Sequence, residues 1–106
     1  MKIFKLSAQD AEKTVQSLKD ISQIPFTEKK VQSANIFQQE SVLYAVSPKR
    51  YKLVTDGLDI IYFFDGVGHF KWARGEINFQ KGDCFQVESV GEYEVNGNCS
   101  FAVIRS

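Results

Sequence analysis

Apolar residues near the start of the chain recur every three or four positions, with charged residues between them. This spacing is that of an amphipathic helix, which packs its apolar stripe on the rest of the protein. Ser7 can accept a hydrogen bond at the helix N-terminus, and Pro25 cannot continue a helix. The pattern predicts a helix over residues 8–22. The repeating apolar positions are Ala8, Ala11, Val15, Leu18 and Ile21.

The helical period stops near Phe26, and short runs of aromatic and β-branched residues follow, separated by residues that favour turns. Many short strands at close spacing are typical of an antiparallel sandwich or barrel. Asp65 and Gly66 are interpreted as a turn between two of these strands. The pattern therefore predicts a barrel over residues 34–105. The predicted strands lie near residues 34–37, 42–46, 51–54, 60–64, 69–72, 77–79, 84–87, 93–95 and 101–104.

The composition limits the classes to which the chain can belong. A length of 106 residues, with 43% hydrophobic and 25% charged residues, predicts a single domain over residues 1–106. The 13 basic and 13 acidic residues cancel, which argues against a nucleic-acid partner. The apolar runs are too short for a signal peptide or a membrane span, so we expect a cytoplasmic protein. In that compartment Cys84 and Cys99 are expected to stay reduced.

Two short motifs carry a family resemblance. Asp59 is followed by an apolar stretch and, after six intervening residues, by Gly66. Further along the chain, Gly82 precedes Tyr93 and Gly97. Both resemble the paired motifs of the cupin family, in which Asp59 falls on the acidic metal ligand. The resemblance covers roughly residues 42–104. It implies a mainly β, single-domain antiparallel β-barrel of the jelly-roll type, with the helix as an N-terminal addition.

The metal-binding histidines of the cupin motifs are missing. Their first pair falls on Lys52 and Val54, or on Leu53 and Thr55 with the shorter spacing, and Tyr93 replaces the later histidine. Zinc, iron and manganese sites of this kind need several imidazoles as well as a carboxylate. We therefore expect neither a metal nor another cofactor.

The resemblance also indicates which residues face the barrel interior. Period-two alternation places Asp59 on the same face as Ile61 and Phe63, and the motif places Tyr93 inward. A buried acid is costly unless it is paired, so Asp59 predicts a polar pocket. The predicted ligand-binding residues are Asp59, Tyr93, Lys52 and Tyr44, and no catalytic residue is assigned.

Three functions fit these residues. The first is non-catalytic, metal-free binding of a small polar molecule, such as a sugar or sugar phosphate, because the second motif is similar to the C-terminal lobe of mannose-6-phosphate isomerases. The second is a metal-independent sugar isomerase or epimerase, which needs two titratable groups such as Asp59 or His69 with Tyr93 in one cavity. The third is a filled barrel that acts as an assembly subunit. The resemblance also implies a homodimer, since short cupins usually pair through sheet edges.

Overall fold

The N-terminal helix is shorter than the sequence pattern predicts. The computed structural model describes residues 2–26 and 30–106. Helix α1, Ala8–Gln16, begins at the predicted residue, where the Ser7 hydroxyl accepts a hydrogen bond from the Asp10 N–H at 3.1 Å. The predicted end near residue 22 is wrong. Ser17 ends the helix because its hydroxyl and its N–H both donate to the Thr14 carbonyl, and a short 3-10 helix, Ile21–Gln23, follows.

Strands make up most of the remaining chain, and those in the described part of the chain pair in antiparallel fashion. This confirms the prediction of a mainly β fold with an N-terminal helix. The strands are β1 (Lys2–Lys5), β2 (Lys30–Val31), β3 (Ala34–Gln39), β4 (Val42–Ser47), β5 (Arg50–Thr55), β6 (Leu58–Trp72), β7 (Gly75–Gln80), β8 (Cys84–Glu88), β9 (Gly91–Asn96) and β10 (Cys99–Arg105).

The strands form two layers that share β6. The first layer has the order β1, β8, β6, β10, β4, β3, β2, and the second has β5 and β9 beside β6, with β7 on the other side. Hydrogen bonds between the described strands do not close the layers into a continuous ring, so the predicted barrel is open along one side. Strand β1 lies outside the predicted barrel range and extends the first layer by pairing with β8.

The predicted turn at Asp65 and Gly66 is wrong, because β6 runs through both residues without ending. The pairing of β6 with β10 changes register here, since Ser100 pairs with Asp65 while Phe101 pairs with Phe63. Gly66 has a φ of 96°, and a Cβ at this position would collide with the carbonyl of Asn98. A β-bulge therefore bends the strand from the first layer into the second, which a glycine permits.

The outer surface of the first layer is covered by the segment that follows α1. The Tyr44 hydroxyl accepts a hydrogen bond from the Lys19 N–H at 2.9 Å, and Ile24 packs against Tyr44 and Ala102. The N-terminal segment thus packs on a sheet, as its apolar stripe predicts. Among the residues described, no helix is long and apolar enough to cross a membrane.

Candidate functional site

Aromatic rings fill the middle of the space between the two layers. The rings of Phe63 and Phe79 stack with centroids 3.8 Å apart, and Phe70 meets Phe85 edge-on at 4.9 Å. Alternation along β6 places Phe63 inward with Ile61 and Asp59, as predicted. Because these rings occupy the interior, it cannot admit a ligand without repacking. We call this group the aromatic centre; it comprises Phe63, Phe70, Phe79, Phe85 and Phe101.

A polar network lies at one end of the same interior. Asp59 is 1% exposed, and its carboxylate accepts a hydrogen bond from the Tyr93 hydroxyl at 2.7 Å. The Thr55 hydroxyl donates to the other carboxylate oxygen at 3.3 Å, and an Arg105 nitrogen lies 3.5 Å from the first. The carboxylate therefore has both partners and a countercharge, which a buried acid needs. We call these four residues the polar end.

The Tyr93 hydroxyl stays protonated at the polar end. Burial, and then the neighbouring Asp59 carboxylate, raise the pKa of Tyr93 far above its ordinary value, so Tyr93 remains a hydrogen-bond donor at any physiological pH. Within the described part of the chain, no group of three or more histidine, cysteine, aspartate or glutamate residues is placed to hold a metal ion.

Only two of the four predicted binding residues meet. Asp59 and Tyr93 are joined directly, whereas Tyr44 lies on the opposite surface of the first layer beneath the N-terminal segment. Lys52 points to solvent from β5, where its ammonium lies 4.0 Å from a Glu92 carboxylate. The cation beside Asp59 is Arg105, which lies outside both sequence motifs.

His69 lies outside the interior. Its side chain is partly exposed, and its Nε2 lies 3.5 Å from a Glu76 carboxylate on β7. The neighbouring residue Phe70 points inward instead, as strand alternation requires. The structure therefore does not bring His69 into a cavity with Asp59 or Tyr93.

A surface groove lies beside the end of the β6–β9 ladder, where Trp72 pairs with Tyr93. Its volume is about 310 Å³, at the lower end of the range for small-molecule sites. Trp72 and Val90 supply partly buried apolar surface, and charged side chains supply the rim. Sequence reasoning missed this groove, although the chain's single tryptophan was a signal for it. The groove is lined by Lys71, Trp72, Ala73, Val90, Glu92, Tyr93 and Glu94.

These two layers around a filled interior form a cupin-like fold. Solved structures with this architecture include mannose 6-phosphate isomerase from Bacillus subtilis, with a TM-score of 0.56 and 14% identity over 78% of this chain. The matched region spans only 31% of the isomerase chain. The chain therefore corresponds to less than a third of that enzyme.

Smaller proteins match over most of their own length. The solved domain of a protein of unknown function from Vibrio parahaemolyticus has a TM-score of 0.57 and 16% identity, covering 76% of this chain and 98% of that domain. A DUF1255 protein of unknown function from an Acinetobacter species has a TM-score of 0.54 and 13% identity, covering 69% of this chain and 79% of its own. No family model matches the sequence, and no curated protein does. At these identities the likeness shows the fold alone.

Proposed function

We propose that this cupin-like domain binds a small polar molecule of the sugar class, without a metal, in the groove beside Trp72. The observation that supports the proposal is the groove itself, whose lining combines a tryptophan, Trp72, with two glutamates, Glu92 and Glu94. The face of an aromatic ring is electronegative and attracts the C–H groups of a sugar ring. Carboxylates accept hydrogen bonds from hydroxyl groups.

The charges around the groove favour a neutral sugar over a sugar phosphate. Glu92 and Glu94 both line it, against one cation, Lys71. The Lys52 ammonium lies 4.0 Å from the Glu92 carboxylate, and an Arg50 nitrogen lies 3.8 Å from the Glu94 carboxylate. Both ion pairs lie on the outer surface of the second layer. Within the described lining of the groove, a phosphate would meet two acids and one cation, so the lining itself offers no surplus of positive charge to bind it.

The mannose 6-phosphate isomerase neighbour gives secondary support for a sugar ligand. Its name states mannose 6-phosphate, a sugar phosphate, and we carry over only the sugar part of that name. The matched part of the enzyme shares the fold of this chain. Because the matched region is less than a third of that enzyme, the ligand class is carried over and the activity is not.

The isomerase or epimerase hypothesis has weaker support than binding. Asp59 and Tyr93 are titratable and in contact, but both are buried and bonded to each other. A substrate would have to displace this hydrogen bond to reach either group. The filled interior also suits an assembly subunit. The predicted homodimer stays a prediction, which sedimentation velocity can test.

Fluorescence of the single tryptophan offers a direct test. We expect neutral monosaccharides to produce a saturable change in Trp72 emission, because a sugar stacked on the indole changes its exposure to water. The same sugars should raise the melting temperature through their preference for the folded state. Sugar phosphates and small carboxylates should produce weaker effects.

Two variants complete the test. Trp72→Leu should abolish the sugar-dependent rise in melting temperature, while Val67→Ala, at an exposed position of β6 outside the groove, should retain it. Circular dichroism of each ligand-free variant checks that it is folded. The proposal fails if no sugar gives a saturable change, or if folded Trp72→Leu keeps the full thermal response.

A further inference from the structure

Strand β5 forms an edge of the second layer, since β9 is its only partner strand among the residues described. Alternate residues of an edge strand direct their N–H and C=O groups away from the ladder. Such groups can pair with a strand of another molecule, so natural proteins protect them. Lys52, in the middle of β5, has its N–H and C=O on this free side.

The side chain of Gln32 occupies this free edge. Its Nε2 donates to the Lys52 carbonyl at 3.0 Å, and its Oε1 accepts from the Lys52 N–H at 2.9 Å. These two bonds reproduce the pair of bonds that one residue of an antiparallel neighbour strand would make. The Gln32 carboxamide thus occupies the position that the backbone of a neighbouring strand would take beside Lys52.

The backbone at Gln32 is unusual for its residue type. Gln32 and Ser33 form the two-residue turn between β2 and β3, with φ values of 55° and 71°. A turn with two positive φ angles favours Asn-Gly, because other side chains are strained there. A glutamine in this position adopts a backbone conformation that is strained for its residue type, which points to a role for its side chain.

We propose that the Gln32 carboxamide is a surrogate strand that closes the β5 edge against strand addition by a second copy of the chain. It also joins the hairpin of the first layer to the edge strand of the second, across the open side of the sandwich. Arg50 and Lys52 add cations along the same strand, which is a further common protection of edges.

A second copy could supply the incoming strand from its own β7. Within the described residues, β7 pairs only with β6 and is therefore also an edge. It carries Glu76, whose charge is opposite to that of Arg50 and Lys52. Pairing of β5 with β7 of another copy is head-to-tail, and contacts of that type continue into open chains.

Gln32→Gly is the informative variant, because glycine tolerates the positive φ while it removes the amide. Gln38→Ala is the matched control. Gln38 is also an exposed glutamine near a hairpin, but within the described part of the chain its amide bonds only to the Glu40 and Val42 carbonyls of its own hairpin. Both variants should fold, which the dispersion of their amide spectra verifies.

Amide hydrogen exchange and sedimentation velocity test the proposal together. In Gln32→Gly the Lys52 amide should exchange about tenfold faster or more, given the usual net value of hydrogen bonds. The variant should also form larger species as its concentration rises, while Gln38→Ala matches the unaltered protein in both measurements. The proposal is overturned if Lys52 exchange is unchanged in Gln32→Gly, or if its sedimentation stays that of the unaltered protein at every concentration.

Discussion

The aromatic centre and the polar end occupy the same interior but are stabilised in different ways. The rings of the centre contact one another through many weak, non-directional interactions, such as the stack of Phe63 on Phe79. The polar end depends on a few directional bonds to one carboxylate, Asp59. Loss of volume should therefore damage the centre, and loss of a bonding partner should damage the polar end.

Tyr93 connects the polar end to the aromatic centre. Its ring lies 6.2 Å from that of Phe70, while its hydroxyl reaches Asp59. An aromatic ring with a polar tip can close the boundary between an apolar core and a charged group. A buried acid is accommodated here because side chains fill the cavity around it, two hydroxyl groups donate to it and a guanidinium lies beside it.

Removal of an aromatic ring from the centre should give the largest effect. Phe63→Ala is expected to lower the free energy of unfolding by about 3–5 kcal/mol, because the side chain is fully buried and its neighbours can close the cavity only in part. Urea denaturation followed by circular dichroism measures the change.

Val67→Ala is the matched control on the same strand. Val67 is 68% exposed, so its truncation should change the free energy of unfolding by about 0.5 kcal/mol or less. Equal effects of the two substitutions would mean that the interior is not packed as described.

Loss of the carboxylate should give the second largest effect. Asp59→Ala is expected to lower the free energy of unfolding by about 2–3 kcal/mol, because it leaves the buried Tyr93 hydroxyl without its acceptor. The cost is below that of breaking a fully buried ion pair, since the Arg105 side chain is 45% exposed and can be solvated.

A double-mutant cycle distinguishes loss of the hydrogen bond between Tyr93 and Asp59 from loss of packing. Tyr93→Phe alone should cost about 1–2 kcal/mol, and the double variant with Asp59→Ala should cost scarcely more than Asp59→Ala alone. Denaturation of all four proteins gives the coupling energy. Fully additive costs would show that the hydroxyl and the carboxylate do not depend on each other.

Much of the fold and half of the polar end could be predicted from sequence, whereas the groove beside Trp72 could not. Alternation correctly placed Asp59 and Phe63 on the inward face of β6, because the period of a strand is local information. The motif spacing placed Tyr93 inward as well. The contact between Asp59 and Tyr93 follows from these two placements, since both side chains point into the same interior.

The remaining errors concern residues whose partners are distant in sequence. Arg105 lies outside both motifs, and only the pairing of β10 with β6 brings it opposite Asp59. Gly66 carries the local signal of a turn, yet it serves a bulge that depends on the neighbouring strand at Asn98. Lys52 was assigned to the pocket under one of two possible spacings, and a shift of one residue reverses the face of a strand.

The smallest expected effect concerns an ionisable group that lies beside the aromatic centre rather than at the polar end. Cys99 is buried beside the aromatic centre, and desolvation alone raises the pKa of its thiol from 9.0 to about 12. A raised pKa of the folded state means that the thiol's contribution to stability is complete below pH 9 and is lost progressively as the pH rises towards 12. The neutral thiol is the form that the apolar surroundings accept.

Between pH 8 and pH 10 the unaltered protein should therefore lose about 1 kcal/mol more stability than Cys99→Ala, which has no thiol to ionise. Urea denaturation at several pH values measures this difference, and the other titrating groups cancel because both proteins contain them. Parallel pH profiles would indicate that Cys99 is solvated, so that the apolar region does not exclude charge. A steeper fall of stability with pH in the unaltered protein would show that the two regions stabilise an ionisable group in different ways. The polar end surrounds its carboxylate with partners, and the apolar surroundings of Cys99 favour the neutral thiol.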